Sequence, residues 1–238
     1  MSYDNFAYYY DSLMDQSFYD DYLEFILKQA SFQNVLELGC GTGEIAIRLA
    51  KLNKTVYASD LSKDMLEVAR LKAMESDVSP HLSRVDMCDF EIDNQIDLVL
   101  CLCDSLNYIL NEEDVLKVFH NVFHCLKAGG TFIFDVDSLY KMEMILKDYK
   151  EENDEDDFYF KWQVDRLGYG YVKHIVEIID KLENDHIFEE HYQRTLTVEK
   201  YQNMLKQSGF LHIELYSDFH DYNDKCERII FVCRKKGE

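Results

Sequence analysis

Apolar and polar positions follow two alternating periods over the first 140 residues. Short apolar runs at Val35-Leu36-Glu37-Leu38, Thr55-Val56-Tyr57-Ala58, Leu82 to Val85, Ile96 to Leu102 and Thr131 to Val136 predict five strands. Helical spacing fills the gaps. Residues 43–52 place Ile45, Leu49 and Leu52 on one face. Ser62 caps a predicted helix running to about residue 75, with Met65, Leu66, Ala69 and Ala73 inward. Glu112 to Leu126 forms a third, stopped by Gly129-Gly130. Strands that are apolar throughout and separated by helices predict a mostly parallel sheet covered on both faces, a doubly wound α/β fold.

The pattern changes after about residue 140. Phe158 to Val164, Tyr171 to Ile179 and Ile187 to Thr197 are rich in aromatic and β-branched residues, with turn signals at Gly168 and Asn184-Asp185. They predict an antiparallel meander. Val198 to Gln207 predicts a helix ending at Gly209, and Leu211 to Tyr216 with Ile229 to Cys233 predict two strands that return to the main sheet as an edge hairpin. Three segments are therefore expected: an α/β domain with an N-terminal helical lid over 1–140, an antiparallel insertion over 141–197, and a closing helix with two strands over 198–238. The run Glu151-Glu152-Asn153-Asp154-Glu155-Asp156-Asp157 carries six acids in seven residues and reads as a solvated loop; it lacks the spacing and glycine of an EF-hand.

Charge narrows the partners. The 238 residues include 25 Lys+Arg against 46 Asp+Glu, a net charge of −21 spread along the chain. Nucleic acid and anionic membranes bind chiefly through Lys and Arg, so both are disfavoured. No run approaches the roughly 20 apolar residues of a membrane span. Met1-Ser2-Tyr3-Asp4-Asn5 has neither a basic start nor an apolar run, so no signal peptide is expected. Seven Cys, mostly in apolar segments, read as buried thiols of a reducing, cytoplasmic compartment.

The chemistry is concentrated in Glu37-Leu38-Gly39-Cys40-Gly41-Thr42-Gly43-Glu44, a strand-to-helix turn, followed by Asp60 at the end of the second strand. Glycines there let backbone approach a ligand, and a helix N-terminus offers free N–H groups. An acid about 20 residues on is placed for ribose hydroxyls. A dinucleotide motif needs glycine where Glu44 stands. Flanking acids suit instead a phosphate-free, cationic nucleoside, S-adenosylmethionine.

With Asp60-Leu61-Ser62, Met65-Leu66, Asp86-Met87 and Leu126-Lys127-Ala128-Gly129-Gly130 in order, the chain resembles the class I S-adenosylmethionine-dependent methyltransferases. Phe6-Ala7-Tyr8-Tyr9-Tyr10-Asp11 and Cys103-Asp104-Ser105-Leu106-Asn107-Tyr108 are similar to a small bacterial subgroup that includes sugar-amine and glycine-type N-methyltransferases. The resemblance implies a seven-stranded Rossmann-like sheet with an antiparallel insertion. It also implies that Glu37, Gly39, Cys40, Gly41 and Gly43 hold the methionine portion and Asp60 the ribose. Leu61 would pack on the adenine with Met65 nearby, while Asp86 and Met87 read its edge. Cys103 and Asp104 would lie near the sulfonium, and Tyr10 would close over the pocket. Relatives carry an aromatic residue and an Arg shortly after the Tyr-Asp pair, whereas this chain has Met14 and no Arg over 11–30.

Methyl transfer to a protonated amine needs a proton acceptor near the methyl group. His191 is the candidate, sharing a strand face with Gln193, and Tyr108 and Asp104 are the other candidate catalytic groups. Asn107, Tyr108, Asp135, His191 and Arg194 are the expected contacts of a small-molecule acceptor, with Arg194 suited to a carboxylate. His120 and His124 stand four apart on a helix, but Val115, Val118, Phe119 and Val122 define a core stripe and no second ligand pair exists, so no metal is expected. Trp162 and the insertion's tyrosines either line a lid, fill a core or form a homodimer interface. An NAD-dependent enzyme and a cofactor-binding regulator of a protein partner are the alternatives, with RNA methylation disfavoured by charge.

Overall fold

The computed structural model describes residues 7, 16–92, 95–182 and 184–237. Strands β1 (Asn34–Leu38), β2 (Thr55–Asp60), β3 (His81–Arg84), β4 (Ile96–Cys101) and β5 (Leu126–Asp137) pair in parallel in the order 3-2-1-4-5. Helices α1 (Gln16–Gln29) and α2 (Glu44–Lys51) cover one face; α4 (Glu112–Cys125) and α5 (Val198–Ser208) cover the other. Helix α3 (Lys63–Glu75) joins β2 to β3. Alternate residues of each strand feed the two cores: Leu98 and Leu100 of β4 meet Tyr22, Ile26 and Leu49, whereas Val99 and Cys101 meet Val118, Phe119 and Val122. The expected parallel sheet is therefore present.

Local chemistry sets the helix ends. Ser62 Oγ accepts from the Met65 N–H at 3.2 Å, Asn111 Oδ1 from Asp114 at 2.9 Å, and Thr197 Oγ from Lys200 at 3.2 Å. Glu112, Glu113 and Asp114 sit in the first turn of α4, where the helix dipole favours negative charge. Gly209 closes α5 at φ 111°, and a Cβ there would stand 2.6 Å from the Phe123 ring.

The C-terminal strands return to the main sheet as the expected antiparallel pair at its edge. Strand β12 (Arg228–Arg234) lies antiparallel between β5 and β10 (His212–Ser217), well inside the sheet. The reason is burial: Ile229 to Cys233 is apolar on both faces, which only an interior position satisfies. An eighth strand, β11 (His220–Asp221), extends the sheet beyond the expected seven. It turns through Asp218 and Phe219, both left-handed (φ 48° and 68°), and the Phe219 ring packs edge-on against Tyr22.

The insertion is a separate antiparallel sheet, β6 (Lys150–Asp154), β7 (Phe158–Gly168), β8 (Tyr171–Asp180) and β9 (Asp185–Arg194). Half of the acidic run is thus strand rather than loop: Glu151 to Asp154 pair with β7 as a fully exposed edge, whose repelling charges deter pairing with another chain. The last strand ends at Arg194, earlier than expected, because Thr197 is needed to cap α5. Phe158, Phe160 and Trp162 pack on Val176, Ile178 and Ile187, so these aromatics fill the insertion's own core. Among the described residues no helix is long and apolar enough to cross a membrane. All seven cysteines are unbridged.

Candidate active site

The glycine turn forms a cradle at the carboxyl end of β1. Gly39, Gly41 and Gly43 have φ of 68°, 51° and 79°. A Cβ on Gly39 would meet Ser105 Cβ at 2.7 Å, and one on Gly43 would meet Ala69 Cβ at 2.9 Å, so these two permit close packing. A Cβ on Gly41 would meet nothing within 4 Å; this glycine faces open space. Cys40 N–H donates to Ser59 O at 2.9 Å, and Gly41 N–H to Asp60 Oδ2 at 2.9 Å. The other Asp60 oxygen accepts from Ser62 N–H at 2.8 Å. One carboxylate therefore ties the two loops together, and each oxygen keeps a lone pair for a further donor.

Glu37 stands behind the cradle. Only 4% of it is exposed, and its Oε2 is buried without a hydrogen-bond partner. Burial first, then the nearby charge of Asp60, pushes its pKa up to about 8, against the opposing pull of the Ala46 N–H. A buried acid with an orphaned oxygen beside an open glycine turn fits a ligand bearing a positive group. Glu44 opens α2 and pairs with Arg48 and Lys72. Despite partial burial, those partners hold its carboxyl below the ordinary range, so a fixed negative charge occupies the helix start where a diphosphate would need N–H groups alone. This disfavours a dinucleotide.

Around the cradle, Leu61 is 57% exposed directly after Asp60, and the Met87 methyl lies 3.4 Å from where a Gly39 Cβ would stand. Met65 donates its N–H to the Ser62 cap, and Asp86 Oδ1 accepts from Cys88 N–H at 2.8 Å. Tyr10 and the rest of 8–15 lie outside the described residues.

The loop after β4 forms the opposite lip. Cys103 and Asp104 are both left-handed (φ 53° and 52°), and their N–H groups donate to Asp135 at 2.8 and 2.9 Å. Asp135 also accepts from Tyr22 hydroxyl at 2.7 Å and from Arg228. Four donors saturate this fully buried carboxylate, so Asp135 supports the lip from beneath instead of meeting an acceptor, the contact expected of it. Asp104 receives Arg228 at 3.2 Å on one oxygen and Gln193 Nε2 at 2.7 Å on the other. Asn107, fully buried, donates to Arg194 O and accepts from Asp137 N–H, both at 2.8 Å, strapping the insertion to β5. Arg194 turns its guanidinium to Leu110 O at 2.7 Å and Glu112 at 3.1 Å, a structural role in place of the expected carboxylate contact.

His191 and Tyr108 do meet. Their rings stand edge-to-face at 6.0 Å, between the β4 loop and the inner face of β9. Burial lowers the His191 pKa, while Tyr108 is half exposed at the lip. Three residues here escaped sequence reading. Gln193 was visible only as a neighbour of His191 on one strand face. His174 interrupts the apolar stripe Val172, Val176, Ile178, a detectable signal. Arg228 heads an apolar run and offers no local signal. Among the described residues no group of three or more His, Cys, Asp or Glu is arranged to hold a metal ion, and His120 and His124 lie along the outer part of α4.

Residues 35–130 match the methyltransferase domain family. A methyltransferase homologue from Geobacillus sp. (strain WCH70) is 35% identical over 247 aligned residues, covering 99% of this chain and 100% of that one. The crystal structure of an S-adenosylmethionine-dependent methyltransferase from Clostridium acetobutylicum ATCC 824 superposes with a TM-score of 0.85 at 28% identity over 99% of both chains. The sugar N-methyltransferase KedS8 from Streptoalloteichus sp ATCC 53650 shares the fold, with a TM-score of 0.77 at 18% identity over 99% of this chain and 94% of that one.

Proposed function

The chain belongs to the class I S-adenosylmethionine-dependent methyltransferases, and on that premise we propose that it methylates a small-molecule amine held between the Cys103–Tyr108 loop and the inner face of β9. The observation that carries the cofactor reading is the orphaned, buried Glu37 oxygen behind an open glycine cradle. When bound, S-adenosylmethionine supplies a methyl group activated by positive sulfur. Glu37 and the Gly39–Gly43 turn hold its methionine portion, and the lone pairs left on Asp60 take the ribose hydroxyls. Leu61 and Met65 flank the adenine, whose edge Asp86 and Met87 read. Cys103 and Asp104 form the wall beside the sulfur.

Alignment and exclusion of water do most of the remaining work. A −21 field draws ammonium compounds in but also favours their protonated, unreactive form. His191 answers this: its burial keeps the imidazole neutral near pH 7, ready to take the proton that the amine must lose. Tyr108 orients the same ring.

Two measurements test the reading. Calorimetric binding of S-adenosylmethionine should weaken by ~2–5 kcal/mol in Asp60→Ala, which loses two hydrogen bonds to a carboxylate and the tie to Gly41; unchanged affinity would remove the cofactor assignment. Labelled-methyl transfer into a metabolite extract, followed by mass identification, should yield an N-methyl product below about 1 kDa. Label appearing only in protein would overturn the acceptor class.

A further inference from the structure

The inner face of β9 is open between two buried residues. Ile187 and Gln193 on that face are 3% and 4% exposed, whereas Glu189 and His191 between them are only part-buried. Tyr108 borders the same opening from the lip: its ring stands 6.0 Å from that of His191 and is itself half exposed. Cross-strand register sets the other neighbours. Trp162, Val176 and Glu189 form one row of the inner face, and His174 with His191 lie in the next.

Within this opening the Glu189 side chain stands alone. Among the described residues no cation or hydrogen-bond donor reaches its carboxylate, and burial alone raises its pKa. The adjacent Glu190 gives the contrast: it points to the outer face and takes Lys173 Nζ at 3.0 Å. The fold therefore pairs the acid that water already solvates and leaves unpaired the one whose charge is costlier to hold. A carboxylate kept beside Val176 and Ile187 without a cation of its own fits a cation that arrives with a ligand.

We propose that Glu189 binds a second positively charged nitrogen of the methyl acceptor, which is then a diamine. The inference rests on the acceptor site proposed above and names its substrate class. Glu189 and His191 are two residues apart on one strand face, so the two nitrogens stand roughly 5–8 Å apart. Each end of the acceptor meets different chemistry. A charge-assisted bond to Glu189 holds one nitrogen as ammonium, without the lone pair that methylation needs. The nitrogen at His191 gives its proton to the imidazole and keeps the lone pair. One strand thus orients the acceptor and leaves a single end open to methylation.

The test has two arms. In the first, protein saturated with S-adenosylhomocysteine is titrated calorimetrically with putrescine and with butylamine, which share a carbon chain and differ by one ammonium. Wild type should bind putrescine roughly 10–30-fold more tightly. Glu189→Gln should lose that preference at an unchanged melting temperature, whereas Glu190→Gln, which removes an equal charge from the outer face, should keep it. No preference in wild type, a preference that survives in Glu189→Gln, or its equal loss in Glu190→Gln overturns the proposal; the last would mark a general pull of the −21 net charge. In the second arm, the small molecule labelled by methyl transfer is identified by mass and should carry a second basic nitrogen, with label on one nitrogen only. Glu189→Gln should raise its KM by a similar factor and leave kcat within about twofold. A methylated product without a second basic nitrogen overturns the proposal while leaving the methyltransferase reading intact. A wild type that binds cofactor but methylates no small molecule overturns both.

Discussion

Replacing Glu37 with Gln separates stability from binding, because the two should move in opposite directions. The folded protein holds this carboxyl at a pKa of about 8 against an ordinary 4.5. The sign follows from proton uptake. Between these values the folded state binds the proton more tightly than the unfolded chain, so stability is full below about pH 4.5 and is lost as pH rises through 8. At about 1.4 kcal/mol per pH unit the loss amounts to about 3–5 kcal/mol by pH 8, most of it already present at pH 7. Glu37→Gln keeps the shape and an uncharged, polar end. It should therefore gain about 3 kcal/mol over wild type in urea unfolding at pH 8 and differ by less than about 1 kcal/mol at pH 5. Its affinity for S-adenosylmethionine should fall by roughly tenfold or more, since the ligand's positive group loses a carboxylate. Wild-type binding at pH 7 should also release close to one proton, read by calorimetry in buffers of different ionisation enthalpy. A variant destabilised equally at both pH values, or binding without proton release, would refute the reasoning.

The glycines offer a paired contrast. Gly39→Ala meets Ser105 at 2.7 Å and should cost stability by roughly 2 kcal/mol or more, whereas Gly41→Ala meets only the left-handed strain of ~1 kcal/mol yet should weaken cofactor binding, as unfolding and binding curves will show. Asp135→Asn leaves a carboxamide facing four donors and Arg228 without its buried partner; a loss of ~3–5 kcal/mol is expected in thermal or urea unfolding, and less than 1 kcal/mol would contradict the network. If His191 takes the proton, kcat/KM should fall on an acid limb below pH 6.5, the direction in which burial moves its pKa, and that limb should vanish in His191→Gln.

Legibility in the sequence tracked how local each determinant is. Strands β1 to β5, their helices and the glycine cradle were readable because apolar runs, caps and turns act within a few residues. The pairing of the last two strands at the edge of the main sheet was readable too, but which of them lies inward was not: only the burial of Ile229 to Cys233 on both faces shows it. Strand β6 was not, since its pairing depends on β7 and runs against the repulsion of its own charges. The lip network was least legible. Arg228 lies 124 residues from Asp104 and 93 from Asp135, and no pattern along one dimension links them. For the same reason the sequence does not show the partners of Asp135 and Arg194, which lie far along the chain.

Those distant partners would keep the proposed acceptor site in register with the cofactor cradle. Methyl transfer requires nucleophile, carbon and sulfur in line, and a displacement near 1 Å is enough to slow it severely. The proposed acceptor position is bordered by a loop of the main sheet and by β9 of the insertion, and apolar packing alone tolerates slippage between the two sheets. Asp104 removes that freedom. Its main chain is pinned to Asp135, one carboxylate oxygen to Arg228 of the main sheet and the other to Gln193 of the insertion. Two consecutive left-handed residues, Cys103 and Asp104, cost ~1–2 kcal/mol each, and the charge-assisted bonds to Asp135 offset that cost only while Arg228 and Tyr22 hold the carboxylate in place. Strain at the lip is thus coupled to the docking of β9. A change at Gln193, whose amide bridges to Asp104, should therefore disturb methyl transfer more than folding, and Gln193→Leu compared by kcat and by melting temperature measures that ratio directly.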